Sequence, residues 1–245
     1  MSNDADRTPF TRHSVLARVQ SEDPEVRRLA WDALITAYWR PAYKYLRLRW
    51  RADEELARDW TQGFFARAIE KGFFDRFDPK QARFRTFLRV CLDGFAGKER
   101  EALGREKRGG GKLIRSFDFE AAEGELAGLE PVSAESVEDY FQREWMRSLF
   151  ELALRDVESE CVRSDQSQDF ELLRRHDIEA FEQSRPISYA DLAAEFGVSV
   201  VHVTNRLRAT RAKLRARLLE RLRELCATDD EFRAEARALL GSDGR

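Results

Sequence analysis

Between Ile187 and Leu214 the chain runs ISYADLAAEFGVSVVHVTNRLRATRAKL, two helical patterns joined at a single glycine. That junction limits the local fold more than any other feature of the sequence. Ser188 with Asp191 has the form of a cap for the first helix and Ser199 for the second, while Gly197 permits a tight turn and Ala193 is small where two helices would cross. Val200, Val203, Leu207, Leu214, Leu218, Leu222 and Leu225 follow at three- and four-residue steps, which predicts one buried face on the second helix. The layout is that of a helix-turn-helix. The remaining faces carry Arg206, Arg208, Arg211, Lys213, Arg215 and Arg217, with no carboxylate before Glu220.

A formal net charge of −2 argues against a nucleic-acid binder, but the distribution of charge argues for one. Cations crowded on one helix neutralise phosphates and release their condensed counterions. If the second helix enters a major groove, residues early in it face base edges: Ser199, His202, Thr204, Asn205 and Arg208. Arg206, Arg211, Lys213 and Arg215 are then expected on phosphates.

The rest of the chain is also helical in pattern, with no strand signal and no internal repeat. Asp23-Pro24 opens a helix that Pro41 is expected to break or kink. A second helix is expected from Asp53 to Gly72. A third, beginning near Phe84, carries Phe84, Phe87, Leu88, Cys91, Leu92 and Phe95 on a broad apolar face. Its cations, Arg83, Arg85, Arg89, Lys98, Arg100, Arg105, Lys107 and Arg108, could track a single-stranded backbone, and the spacing of its rings assigns them to packing. From Ser116 to Gln142 there are eight carboxylates and no Lys or Arg, and the first half of that run is expected to be a linker. Ser136 then caps a further helix, and Thr228 to Glu231 form a capping box for a last one. The expected architecture is all-α, in two helical domains: an N-terminal extension (1–22), a first domain (23–112), an acidic linker (113–135), a helix-turn-helix domain (136–226) and a C-terminal helix and tail (227–245).

Other functions find little support. GREKRGGGKL resembles a phosphate loop, but Glu106 stands where the first glycine belongs and Leu113 follows the lysine. No HExxH and no nucleophile elbow is present, so no catalytic residue, cofactor or metal is expected. Cys91, Cys161 and Cys226 are odd in number and far apart, as reduced thiols near apolar faces would be, and His13, His176 and His202 do not stand beside them at ligand spacing. No apolar run can span a bilayer, and the polar N-terminus lacks a secretory core, which points to the cytoplasm.

The order RDWTQGFFARAIE, FRTFLRVCLDGFAGKERE, KRGGGK, an acidic spacer and the helix-turn-helix resembles the extracytoplasmic-function (ECF) group of bacterial sigma factors, over nearly the whole chain from Asp23 to Leu225. The resemblance implies a region 2-like bundle and a region 4-like helix-turn-helix domain, with core RNA polymerase and promoter DNA as partners. Asp59, Gln62 and Phe65 match the helix that docks on the clamp helices of the polymerase largest subunit. Lys80, Arg83, Arg85, Arg89, Lys98, Arg100 and Arg105 match the part that captures the −10 element. The helix-turn-helix corresponds to the reader of the −35 element, and the acidic spacer to the connector that threads the RNA channel. An anti-sigma factor or other inhibitory partner is a further partner such a protein can have. Thr61, within the docking helix, is an ordinary helix hydroxyl on the simplest reading and a phosphorylation site on a bolder one. The residues alone also accommodate a stand-alone helix-turn-helix regulator that binds a palindromic operator as a dimer.

Overall fold

The computed structural model describes residues 14–103, 117–126, 134–180 and 186–240, and every described element is helical or a turn. In chain order they are α1 (Val15–Arg18), α2 (Pro24–Arg49), α3 (Glu54–Lys71), α4 (Phe84–Leu103), α5 (Phe119–Gly124), α6 (Ala134–Arg163), α7 (Ser167–Leu173), α8 (Tyr189–Phe196), α9 (Val200–Leu225) and α10 (Asp229–Leu240). A short 3₁₀ turn (Phe73–Arg76) follows α3, and a π turn (Arg174–Glu179) continues α7. The chain divides into two compact units, Met1–Ser148 with Leu222–Arg245, and Leu149–Arg221. These bounds differ from the expected domains: residues 136–148, 222–226 and the C-terminal helix belong with the first unit, and the divisions fall inside α6 and α9.

In the first unit, α2 is capped by Asp23, whose carboxylate accepts the Glu25 and Val26 N–H groups at 2.8 and 3.3 Å, with Pro24 at the first helical position. The helix is not broken at Pro41. Proline cannot donate to the carbonyl one turn earlier. Here the residues on both sides, Ala37, Tyr38, Ala42, Tyr43, Tyr45 and Leu46, are all buried, and that packing outweighs one missing hydrogen bond. Asp53 caps α3 through the Leu56 N–H at 2.8 Å, and Gly72 ends it in the left-handed region at φ 58°. Phe84 packs edge-on against Tyr38, Phe74 and Phe77, and Phe95 against Phe64, so the rings of α4 are core rings as their spacing implied.

Three segments expected at the margins belong to this core. Within the N-terminal extension, Val15, Leu16 and Val19 are buried. In the expected linker, Phe117 stacks on Trp39 with ring centroids 4.9 Å apart, and Phe119 packs against Tyr43 at 5.0 Å. Its acids meet cations of α2: Glu123 accepts from Arg47 Nε at 2.9 Å and from the Tyr43 hydroxyl at 2.6 Å, and Glu125 lies 2.5 Å from Lys44 Nζ. The described part of the acidic run is therefore a docked helix, because two phenylalanines and two carboxylates find partners on α2. At the C-terminus, Phe232 and Ala236 of α10 are buried. Thr228 Oγ1 accepts the Glu231 N–H at 3.2 Å, and Glu231 accepts the N–H groups of Ala227 at 2.8 Å and Phe84 at 3.2 Å.

In the second unit, Val157, Cys161, Phe170, Leu172, Leu173, Leu192, Ala193, Val203 and Leu207 form one buried cluster. Asp165, at φ 55°, turns the chain between α6 and α7.

Candidate nucleic-acid interface

In the second unit α8 and α9 are joined by a tight turn at Gly197. Ser188 Oγ accepts the Asp191 N–H at 3.1 Å and donates to the Asp191 carboxylate at 2.7 Å, which fixes the start of α8. Gly197 ends that helix at φ 65°, a backbone region that any residue with a Cβ adopts only under strain. The Val198 N–H then returns to the Ala193 carbonyl at 3.0 Å, closing the turn. Ser199 Oγ accepts the His202 N–H at 3.1 Å and starts α9. Ala193 sits in the shared core beside Val203 and Leu207, so the two helices approach closely where the side chain is small.

At ~100° per residue, Val201, Asn205, Arg208 and Ala212 fall within about 60° of one another, with Thr204 beside them. All five are exposed, and they lie opposite the side that buries Val203, Leu207 and Thr210. Val200, expected on the buried face, is 45% exposed, and Val201 is 69% exposed. Among the described residues Arg208 has no carboxylate partner.

Arg206, Arg211, Lys213 and Arg217 flank the buried face, and this position brings them to carboxylates of their own unit. Arg206 Nη1 donates to Asp169 at 2.8 Å. Arg211 holds both oxygens of Asp177, at 2.7 and 2.6 Å, and reaches the Tyr189 hydroxyl at 3.2 Å. Lys213 donates to Gln166 at 2.9 Å and lies 3.4 Å from Glu160, which also accepts from Arg217 at 2.7 Å. Arg215 is half-buried. Burial would raise the Asp177 carboxyl, but the Arg211 guanidinium and His176 beside it hold it below its ordinary value. Arg217 and Lys213 do the same to Glu160. Arg206, Arg211 and Lys213, expected on phosphates, are each paired within the unit. Arg206 and Arg211 nevertheless keep side chains 40% exposed; Asp169 is buried, whereas Asp177 is 31% exposed, so it is the Arg211–Asp177 pair that is worth about 0–1 kcal/mol, little enough for a phosphate to replace the carboxylate.

In the first unit the expected −10 residues separate into three groups. Lys80, Lys98 and Arg100 are exposed, and Arg105 lies outside the described residues, as do Lys107 and Arg108. Arg89 is half-buried, 3.6 Å from Asp93. Arg83 and Arg85 both donate to Glu235 of α10, at 2.7 and 2.5 Å, and Arg85 is buried with its guanidinium 5.1 Å from the Trp145 ring. Arg85 is a structural cation here, because α10 and the first turns of α6 cover it. Arg83, Arg85, Thr86 and Arg89 line a cleft of about 300 Å³.

On α3, Asp59 is exposed and Gln62 half-buried, so both can meet a partner. Phe65 is 0% exposed and packs edge-on against Phe64 at 5.2 Å, which corrects its expected docking role to a core role. Thr61 is buried, with its hydroxyl donating to the Ala57 carbonyl at 2.7 Å, out of reach of a kinase in the folded chain. Cys161 and Cys226 are buried and Cys91 half-buried, all with free thiols, and burial pushes the Cys91 thiol up to about 11. Among the described residues no group of His, Cys, Asp and Glu is arranged to hold a metal ion, and no helix is long and apolar enough to cross a membrane.

Val201 is the exposed residue of α9 that the sequence pattern did not single out. Its three-, four- and seven-residue spacing to Thr204, Asn205 and Arg208 was the available signal. No protein-family model matches the chain, and no curated protein or solved structure matches it.

Proposed function

We propose that this chain is an ECF-type sigma factor, which binds core RNA polymerase and directs it to promoters without performing chemistry of its own. The observation that carries the reading is the capped turn at Gly197, followed by a helix whose exposed stripe joins Thr204, Asn205 and Arg208 opposite its buried face. Asn and Arg are the side chains suited to bidentate contact with adenine and guanine edges, and the first turns of a second helix are those that reach into a groove. The order of motifs from RDWTQGFFARAIE to the helix-turn-helix supports polymerase as the partner, with Asp59 and Gln62 as its accessible contacts. Lys80, Lys98 and Arg100 offer exposed charge for the −10 strand.

The test is run-off transcription on a genomic promoter library with purified core polymerase and the full chain. The expected result is initiation at a defined set of promoters, together with co-purification of chain and polymerase that Asp59→Ala with Gln62→Ala abolishes. Specific duplex binding by the chain alone as a dimer, with no binding to polymerase, would replace this reading with that of a stand-alone regulator.

A further inference from the structure

We propose that Val201 reads a thymine, its isopropyl group meeting the C5-methyl of that base in the major groove of duplex DNA. The inference rests on the reading of the helix-turn-helix as a duplex reader and adds to it a base and a contact. Val201 is 69% exposed, so its apolar surface gains almost nothing when the chain folds. It serves no cap, since Ser199 performs that task, and a β-branched side chain lowers helix propensity relative to alanine. Folding alone therefore gives no reason for a valine at this position.

Its placement supplies one. Val201 occupies the first turn of α9 on the stripe it shares with Asn205 and Arg208, whereas Val200, one residue earlier, turns toward the side of the core. A side chain at that position in a recognition helix points at base edges. On the major-groove edge adenine, guanine and cytosine present only donors and acceptors, and thymine alone carries an apolar group. An exposed isopropyl group flanked by an amide and a guanidinium thus fits a thymine beside an adenine or guanine. The charge of Arg208, which has no carboxylate partner among the described residues, complements phosphate-rich DNA better than an apolar protein surface.

The experiment selects the preferred duplex from a random library with the full chain and core polymerase, then replaces each thymine of the upstream half of the site with deoxyuridine, which removes only the methyl. One replacement should weaken binding about four-fold, or ~0.8 kcal/mol at ~1.4 kcal/mol per tenfold. Val201→Ala should lose a similar factor on the thymine duplex and show no further loss on the deoxyuridine duplex, with its melting temperature unchanged or raised. Wild-type binding insensitive to every replacement, or a Val201→Ala protein that keeps full sensitivity, overturns the proposal while leaving duplex recognition through Arg208 intact. A change of oligomeric state in Val201→Ala without a change in DNA binding overturns it in favour of a contact between copies of the chain. Selection of no duplex at all overturns both this inference and the reading beneath it.

Discussion

In the first unit Lys44 has no exposed surface and lies 2.5 Å from both Glu125 and Glu144, whereas in the second unit Arg206 and Arg211 hold Asp169 and Asp177 with side chains 40% exposed. Each arrangement neutralises charge within its own unit, and the energies differ. A buried pair deprived of one member leaves a charge that water cannot reach, which costs several kcal/mol. An arginine at the rim is screened by solvent and can exchange its carboxylate for another anion. Charge in the first unit thus specifies how α2, α5 and α6 dock, and charge on α9 remains available to a ligand.

The largest expected effect comes from breaking the buried cluster. Lys44→Met should destabilise the chain by about 3–5 kcal/mol in urea unfolding, because Glu125 and Glu144 lose the cation between them. A loss below about 1 kcal/mol would erase the contrast between the units. Glu235→Gln keeps the shape and one acceptor but removes the charge shared by Arg83 and Arg85, and should cost about 1–3 kcal/mol. The same measurement on Arg83→Gln, whose side chain is 46% exposed, should show the smaller loss of the two.

Acid sharpens the comparison. Arg47 holds the Glu123 carboxyl below its ordinary value in the first unit, as Arg217 holds Glu160 and Arg211 holds Asp177 in the second. A depressed carboxyl contributes stability that is present above its unfolded value and lost as pH falls through the folded one. Burial raises Glu231, which works in the opposite sense and gains stability on acidification. Glu25, Glu125 and Glu171 are also lowered, so among the described residues six lowered carboxyls stand against one raised; the melting temperature should fall below about pH 4, and Glu123→Gln or Asp177→Asn should make that fall shallower. A melting temperature that rises on acidification would show that buried carboxyls such as Glu231 dominate. The smallest effect is expected from Arg211→Gln, at most about 1 kcal/mol in low salt and less in 1 M salt. A larger, salt-independent loss would place Arg211 with the buried charges of the first unit.

Much of the local structure was legible in the sequence. The caps at Asp23, Asp53, Ser188 and Ser199 and the left-handed turns at Gly72 and Gly197 depend on side chains and backbone a few residues away. Partners distant in sequence were not legible. Two phenylalanines in an acidic run looked like a linker until Trp39 and Tyr43 were found opposite them. Phe65 matched a docking pattern and is buried. The cations of α9 formed a continuous row in one dimension, and the helix carries Arg206, Arg211 and Arg217 to the flanks of its buried face, where Asp169, Asp177 and Glu160 await.

The amino-acid sequence by itself determined that the chain is helical, where α2, α3, α8 and α9 start, and that α9 has one buried face, since periodicity and capping are local properties. The tertiary structure alone decided which charges are neutralised and that α5 and α10 complete the first unit. The physical reason is that burial and ion pairing depend on which surfaces meet, and residues such as Arg85 and Glu235 are brought together only when the chain has folded.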